Sequence, residues 1–335
     1  MTVDIASTYT GPFGMAYVPV TERTRLVNDP HALALIDFTE GVRVPDGTSD
    51  FAEWLPQVGG LPVCEYWHST EPVAYERRGN FHLARTSELL FLRLMWPDTG
   101  RVEEDAQVVY AELMTVLRAE GYPHLVRVWN YLPRINAEEA GHERYRSFCV
   151  GRAAALEAVR ALDDARLPAA SALGSCGGGL QVYAIAAREP GIQIENPRQV
   201  SAFRYPQRYG PRSPSFSRAT LKRWREGVHL YISGTASIVG HASLHETLES
   251  QLGETLANIE AVVGEAHRVE GLKVHTPNEL SLIKVYLRNP ADAVATEAWL
   301  RERLGKRLPM VLLQGDVCRS ELLVEIEGAY FGETE

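Results

Sequence analysis

The chain has 335 residues, a formal net charge of −9, 45% hydrophobic residues and 23% charged ones. That balance describes an ordinary globular protein, long enough for two domains and for a core that needs no disulfides. The negative charge excludes nucleic acid as the main partner, because phosphate binding needs a basic surface; an anionic ligand would need a local arginine cluster working against the global field.

Residues 1–60 are rich in Pro and Gly and read as loop. Asn80 to Trp96 contains two apolar runs with strand character, and Glu103 to Glu120 has helical periodicity that stops at Gly121. A strand is predicted over Leu125 to Leu132, a helix over His142 to Leu162 and a strand over Leu180 to Arg188. A long segment follows, Gly191 to Ala219, rich in Pro, Tyr and Arg. A loop of that length is functional or disordered, and its aromatics argue against disorder. The order then recurs: strand over Val228 to Val239, helix over His245 to Glu265, strand over Leu280 to Leu287, helix over Asp292 to Leu304, strand over Leu322 to Tyr330. An internal duplication of a strand–helix–strand–helix–strand unit is the reading.

Several chemistries lack their signatures. The run Gly177-Gly178-Gly179 is not followed by Lys-Ser/Thr, and neither a dinucleotide fingerprint nor a GxSxG elbow occurs. His241 and His245 stand at i, i+4 without a third ligand nearby, so no metal is expected. Cys64, Cys149, Cys176 and Cys318 are scattered without a CxxC pair, which fits a reduced cytoplasmic compartment. The N-terminus has no basic region followed by an apolar run, and no apolar run is long enough to span a bilayer. Neither a signal peptide nor a membrane partner is expected.

Three segments carry positive signal. In YRSFCVGRAAAL, Tyr145, Cys149 and Arg152 share one helix face. YPQRYGPRSPSFSR offers Tyr205, Tyr209, Arg212 and Arg218 on a Pro-stiffened loop. The third is the pair ISGTASIVGH and DVCRSELLVEIEG. In its last strand Glu325 and Glu327 share a face, and periodicity does not choose between them.

The segments LLVEIEG, HETLESQLGETLANIEAVV, LIKVYLRN and LYISGTASIVG resemble a RidA (YjgF) domain. The sequence departs from the RidA deaminases after Pro309, where Met310 and Val311 replace their arginine. WNYLPRIN, YRSFCVGRAAAL, the glycine-rich turn Gly174 to Gly179, IENP and YGPRSPSFSRA resemble the chorismatases of secondary metabolism. The resemblance covers roughly residues 79–335. It implies an α+β fold: two tandem RidA-like α/β units packed together, joined by the long Pro/Tyr/Arg-rich segment. Residues 1–215 would form an N-terminal domain holding a degenerate unit at about 79–190, and residues 216–335 a C-terminal RidA-like domain.

The resemblance also implies chorismate as substrate and no cofactor. It picks Glu325 as the acid that protonates the enol ether methylene. Chorismate is a dicarboxylate, which calls for guanidinium partners in a dry pocket; Arg152, Arg212 and Arg218 are the candidates, with Tyr145, Tyr205 and Tyr209 as phenolic donors. Hydrolytic chorismatases carry alanine at two pocket positions where this chain has Gly234 and Cys318, and that pair matches the branch forming 3-hydroxybenzoate. A hydrolytic enzyme, a mixed 3-/4-hydroxybenzoate producer and a RidA-like binding module stay open as alternatives. The oligomeric state is not legible in the sequence.

Overall fold

The computed structural model describes residues 11–40, 49–159 and 166–333. The N-terminal segment, expected as loop, folds instead into a four-stranded sheet. Its strands are β1 (Phe13–Pro19), β2 (Ala32–Phe38), β3 (Asp50–Glu53) and β4 (Val63–Ser69), in the order β1-β4-β2-β3, with a one-turn helix α1 (Arg23–Leu26) after the first. Cys64, Glu65, Tyr66 and Trp67 are consecutive and all buried. A strand covered on both faces shows no alternation, so periodicity misses it.

Two six-stranded sheets follow, and their topologies match strand for strand. The first contains β5 (Ala74–Arg78), β6 (Phe81–Arg85), β7 (Leu89–Trp96), α2 (Val102–Glu120) and β8 (His124–Pro133). A two-rung hairpin of β9 (Glu138–Glu139) and β10 (His142–Glu143) leads into α3 (Arg144–Ala158), then β11 (Ala169–Ser175) and β12 (Leu180–Ala187). The order is β11-β8-β12-β7-β6-β5. The second contains β13 (Ile192–Ile194), β14 (Ala219–Arg223), β15 (Val228–Ala236), α4 (Leu248–Glu270), β16 (Leu282–Leu287), α5 (Ala293–Leu304), β17 (Met310–Gln314) and β18 (Val324–Gly332), ordered β13-β14-β15-β18-β16-β17. In each, the strand after each helix pairs in parallel with its counterpart and the last strand inserts antiparallel at the centre. The duplication read from element order is therefore a duplication of topology.

Helix ends follow their sequence signals. Gly121 and Gly271 close α2 and α4 in the left-handed conformation, and the Thr247 hydroxyl caps α4 by accepting from the Ser250 N–H. The α3 prediction ran to Leu162; the helix ends at Ala158, and residues 160–162 lie outside the described set.

Each sheet covers one face with its own helices, packed in separate apolar layers. The opposite faces of both, with the N-terminal sheet, enclose a third core containing Trp67, Phe91, Trp129, Tyr183, Tyr231 and Tyr286. Trp129 and Tyr183 stack there at 4.6 Å, and Trp67 meets Trp129 edge-on at 5.4 Å. Two sheet edges, those of β11 and β17, are covered within the chain. The Ala169 and Ala170 amides of β11 donate to Thr220 Oγ1 and Ser233 Oγ at 2.7 and 2.9 Å, and β17 pairs with residues 56–58 through Val58 N–H to Leu312 O at 2.8 Å. The glycine-rich turn packs: a Cβ on Gly177 would meet the Trp54 ring at 2.4 Å, and one on Gly179, at φ +73°, would meet Trp96 O at 2.1 Å. Among the described residues, no helix is long and apolar enough to cross a membrane.

Candidate active site

A cavity of about 320 Å³ opens where the two units meet. Helix α3 forms one wall, β11, β15 and β18 another, and the connecting segment 205–218 with the turn 318–322 closes over it. The face of α3 read from the sequence is the lining face: Tyr145, Cys149 and Arg152 all border the cavity.

Glu325 and Glu327 project from the same face of β18, away from α4 and α5, and are 4% and 5% exposed. Their surroundings separate them. Glu327 accepts from Arg127 Nη2 at 2.7 Å, Trp129 Nε1 at 2.6 Å and Ser171 Oγ at 2.6 Å, with Lys284 Nζ at 3.5 Å. Burial opposes its charge, but those cations and hydrogen bonds outweigh burial and hold its carboxyl below the usual carboxylate range. Glu325 borders the cavity and accepts no hydrogen bond from another described side chain. Burial first, and the Glu327 charge second, push its carboxyl up to about 8, against the pull of Arg127 and Arg218. Their surroundings thus favour the anion at Glu327 and the neutral carboxylic acid at Glu325, which borders the cavity.

The cationic side of the cavity is as distinct. Arg152 is 4% exposed, lies over the Tyr110 ring at 4.9 Å, and leaves its Nε and Nη2 groups without hydrogen-bond partners. Buried donors left open cost about 1–3 kcal/mol each unless a ligand meets them. Arg218, 5% exposed, gives Nη2 to Tyr205 OH at 2.7 Å and to Val200 O at 3.0 Å, while its Nε is unpartnered. Arg319, named in the sequence only as the residue after Cys318, stacks over Tyr209 at 4.1 Å and borders the cavity. Tyr209 meets His241 Nδ1 at 3.1 Å through its hydroxyl. Arg212 does not join this set. Its guanidinium pairs with Glu157, both side chains close to half exposed, and it lies outside the cavity lining. The Pro-stiffened loop turns between Tyr209 and Arg218, so Arg212 falls on its outer side.

Gly234 and Cys318 both border the cavity. Gly234 sits at a register shift between β15 and β18, and its N–H donates to Ser171 Oγ at 2.9 Å. A Cβ there would meet Glu325 Oε1 at 1.9 Å. The missing side chain at Gly234 thus leaves room for the Glu325 carboxyl. Burial, then the Glu325 charge, raise the Cys318 thiol, and burial pushes Cys149 up to about 12 and the Tyr145 phenol well above its ordinary value. All three stay neutral, so the charged lining is Arg146, Arg152, Arg208, Arg218 and Arg319 with Glu143 and Glu321.

Sequence reasoning missed Arg127, Ser171 and Lys284, each a buried polar residue in a largely apolar strand. A buried charge at such a position was the available signal. His241 and His245 precede α4 and point to different partners, Tyr209 and Glu254. Among the described residues no cluster of three His, Cys, Asp or Glu side chains could hold a metal ion.

A family model described as "Chorismatase FkbO/Hyg5-like, N-terminal" matches residues 65–186. The chain is 41% identical over 276 residues to a 3-hydroxybenzoate synthase of Streptomyces hygroscopicus, spanning 80% of this chain and 81% of the relative. It is 40% identical over 274 residues to a chorismatase of Streptomyces rapamycinicus, spanning 79% and 81%. A crystal structure of a chorismatase superposes with a TM-score of 0.88 at 34% identity, over 97% of this chain and 100% of that one.

Proposed function

The chain belongs to the chorismatase family and is an enzyme acting on chorismate, and from that premise we propose that it forms 3-hydroxybenzoate and pyruvate by an intramolecular route started by Glu325. The observation that carries this reading is a buried, unpartnered carboxylic acid facing unpartnered guanidinium donors across one cavity.

Arg152 and Arg218 bind the two carboxylates, and the neutral Tyr145 phenol donates a hydrogen bond. Glu325 passes its proton to the methylene carbon of the enol ether, whose oxygen shares the positive charge that develops. The neighbouring ring hydroxyl then attacks the ether carbon as the carbon–ether oxygen bond breaks: pyruvate leaves with the ether oxygen, the hydroxyl proton is lost, and the oxygen bridges the two ring carbons. The bond from that oxygen to its original carbon then breaks, the hydrogen on the carbon that keeps the oxygen leaves as a proton, a proton returns to the oxygen, and the ring is aromatic. Atoms balance without water: chorismate equals hydroxybenzoate plus pyruvate. Glu325, left as carboxylate, takes back a proton, and the fixed charge of Glu327 beside it favours that return.

Carrying ¹⁸O at the ring hydroxyl of chorismate tests both product and route. Label is expected in 3-hydroxybenzoate, identified by mass spectrometry beside unlabelled pyruvate, and in H₂¹⁸O the unlabelled substrate should give unlabelled hydroxybenzoate. Label lost to solvent would overturn the intramolecular route, and a dihydrodiol as main product would favour the hydrolytic reading.

Product choice has its own test. Gly234→Ala pushes the Glu325 carboxyl aside, since the contact of 1.9 Å cannot persist, and Cys318→Ala vacates space for a water. The double variant is expected to make dihydrodiol at the expense of 3-hydroxybenzoate. Gly234→Ala alone should lower turnover. An unchanged product ratio in the double variant would remove both positions from product control.

A further inference from the structure

Behind Glu325 lies a buried cluster of four charges drawn from three sheets. Lys284 on β16 pairs with Glu65 on β4 at 2.7 Å, and Arg127 on β8 pairs with Glu327 on β18 at 2.7 Å; Lys284 also lies 3.5 Å from Glu327. The side chains are 1% or less exposed, except Glu327 at 6%. Two cations and two anions cancel. A fifth charge at Glu325 would unbalance the cluster in a medium that tolerates no lone ion.

We infer that Glu327 is a positioning residue for the reaction: pinned as an anion by Arg127, Trp129, Ser171 and Lys284, it keeps its neighbour Glu325 protonated and clear of those donors, aimed into the cavity. This rests on the reading of Glu325 as the acid. The donors behind Glu325 converge on Glu327: Arg127 Nη2, Trp129 Nε1 and Ser171 Oγ all donate to it. Ser171 shows the exclusion most directly. Its hydroxyl donates to Glu327 and accepts from Arg127 at 2.6 Å and from the Gly234 N–H, so nothing is left for Glu325. Glu65 does the same for Lys284, which would otherwise commit its whole charge to β18. Lys284 also donates to Tyr183 OH at 3.1 Å, and Tyr183 and Tyr286 both meet Tyr131 OH, at 3.1 and 3.0 Å. The phenols are neutral, as burial raises all three. The other groups facing Glu325 are Arg127 from β8 and Arg218 ahead of β14, which favour its charge, and the neutral Cys318 and Tyr145. The N-terminal sheet thereby gains a role in catalysis, through a residue that touches no substrate.

The pH dependence of kcat/KM, followed by pyruvate release, tests this. The raised Glu325 is an acid present below its pKa and lost above it, so the wild-type rate should fall as pH passes about 8. Glu327→Gln removes an anion and leaves net positive charge beside Glu325, so the limb should move to lower pH by about one unit or more, with activity recovering as pH is lowered. Glu65→Gln frees Lys284 and should move the limb the same way by less. Adding Lys284→Met to Glu65→Gln restores neutrality and should return the limb toward wild type. Folded Glu327→Gln and Glu65→Gln variants that lose rate with the limb unmoved would overturn the inference. If Glu327→Gln does not fold, Glu65→Gln and the double variant decide. Should Glu325→Gln keep full activity, the acid assignment itself fails, a result distinct from an unmoved limb.

Discussion

Glu325→Gln should lower turnover by about 10²–10⁴-fold, the range for a lost general acid, while leaving chorismate affinity close to wild type. Glutamine keeps the size and polarity of the side chain and removes the transferable proton. The carboxyl it replaces is neutral at pH 7 and makes no hydrogen bond to another described side chain, so the exchange neither breaks a native interaction nor strands a charge. Stability should therefore hold, with a melting temperature within a few degrees of wild type. Binding measured by calorimetry under conditions without turnover separates the two effects. A Glu325→Gln enzyme with near-wild-type kcat would assign the protonation to another group. An enzyme that neither binds nor turns over would point to a role for the carboxyl in holding substrate.

Arg152→Ala is expected to weaken chorismate binding by about 2–5 kcal/mol, the cost of removing one partner of a desolvated ion pair, or roughly 30- to several-thousand-fold in Kd. The expectation follows from what Arg152 lacks. Its guanidinium is nine-tenths buried, faces the cavity and leaves Nε and Nη2 open. Such an arrangement is costly in the free protein and favourable when a carboxylate arrives. The same reasoning makes Arg152→Met, which refills the volume, neutral or stabilising to the free protein while still weakening binding. Opposite effects of one substitution on affinity and stability are a signature of a side chain held in place for its ligand. If affinity survives both variants, the carboxylates lie elsewhere, with Arg218 and Arg319 the next arginines on the lining. Arg212, paired with Glu157 at the surface, lies outside that lining.

Much of this protein was legible residue by residue. α2 and α4 announce themselves by periodicity, and α2 stops at Gly121 as read; α4 runs past its expected end at Glu265 to Glu270, where Gly271 closes it in the left-handed conformation. The shared face of Tyr145, Cys149 and Arg152 follows from helix geometry alone, and so does the common face of Glu325 and Glu327 from strand geometry. These are local properties, set within a few residues by backbone period.

What needed the folded chain was everything decided by partners remote in sequence. The N-terminal sheet escaped detection because burial on both faces erases the alternation that marks a strand. The choice between Glu325 and Glu327 was open because their strand context is the same. It closes only when Arg127 and Ser171, 200 and 156 residues away, arrive at Glu327 and not at Glu325. Arg212 and Arg218 belong to one loop and are indistinguishable by composition, yet the turn between them sends one to the surface and one into the cavity. A carboxyl's charge and a guanidinium's availability depend on the groups within a few ångströms, and in this chain those groups come from three different sheets.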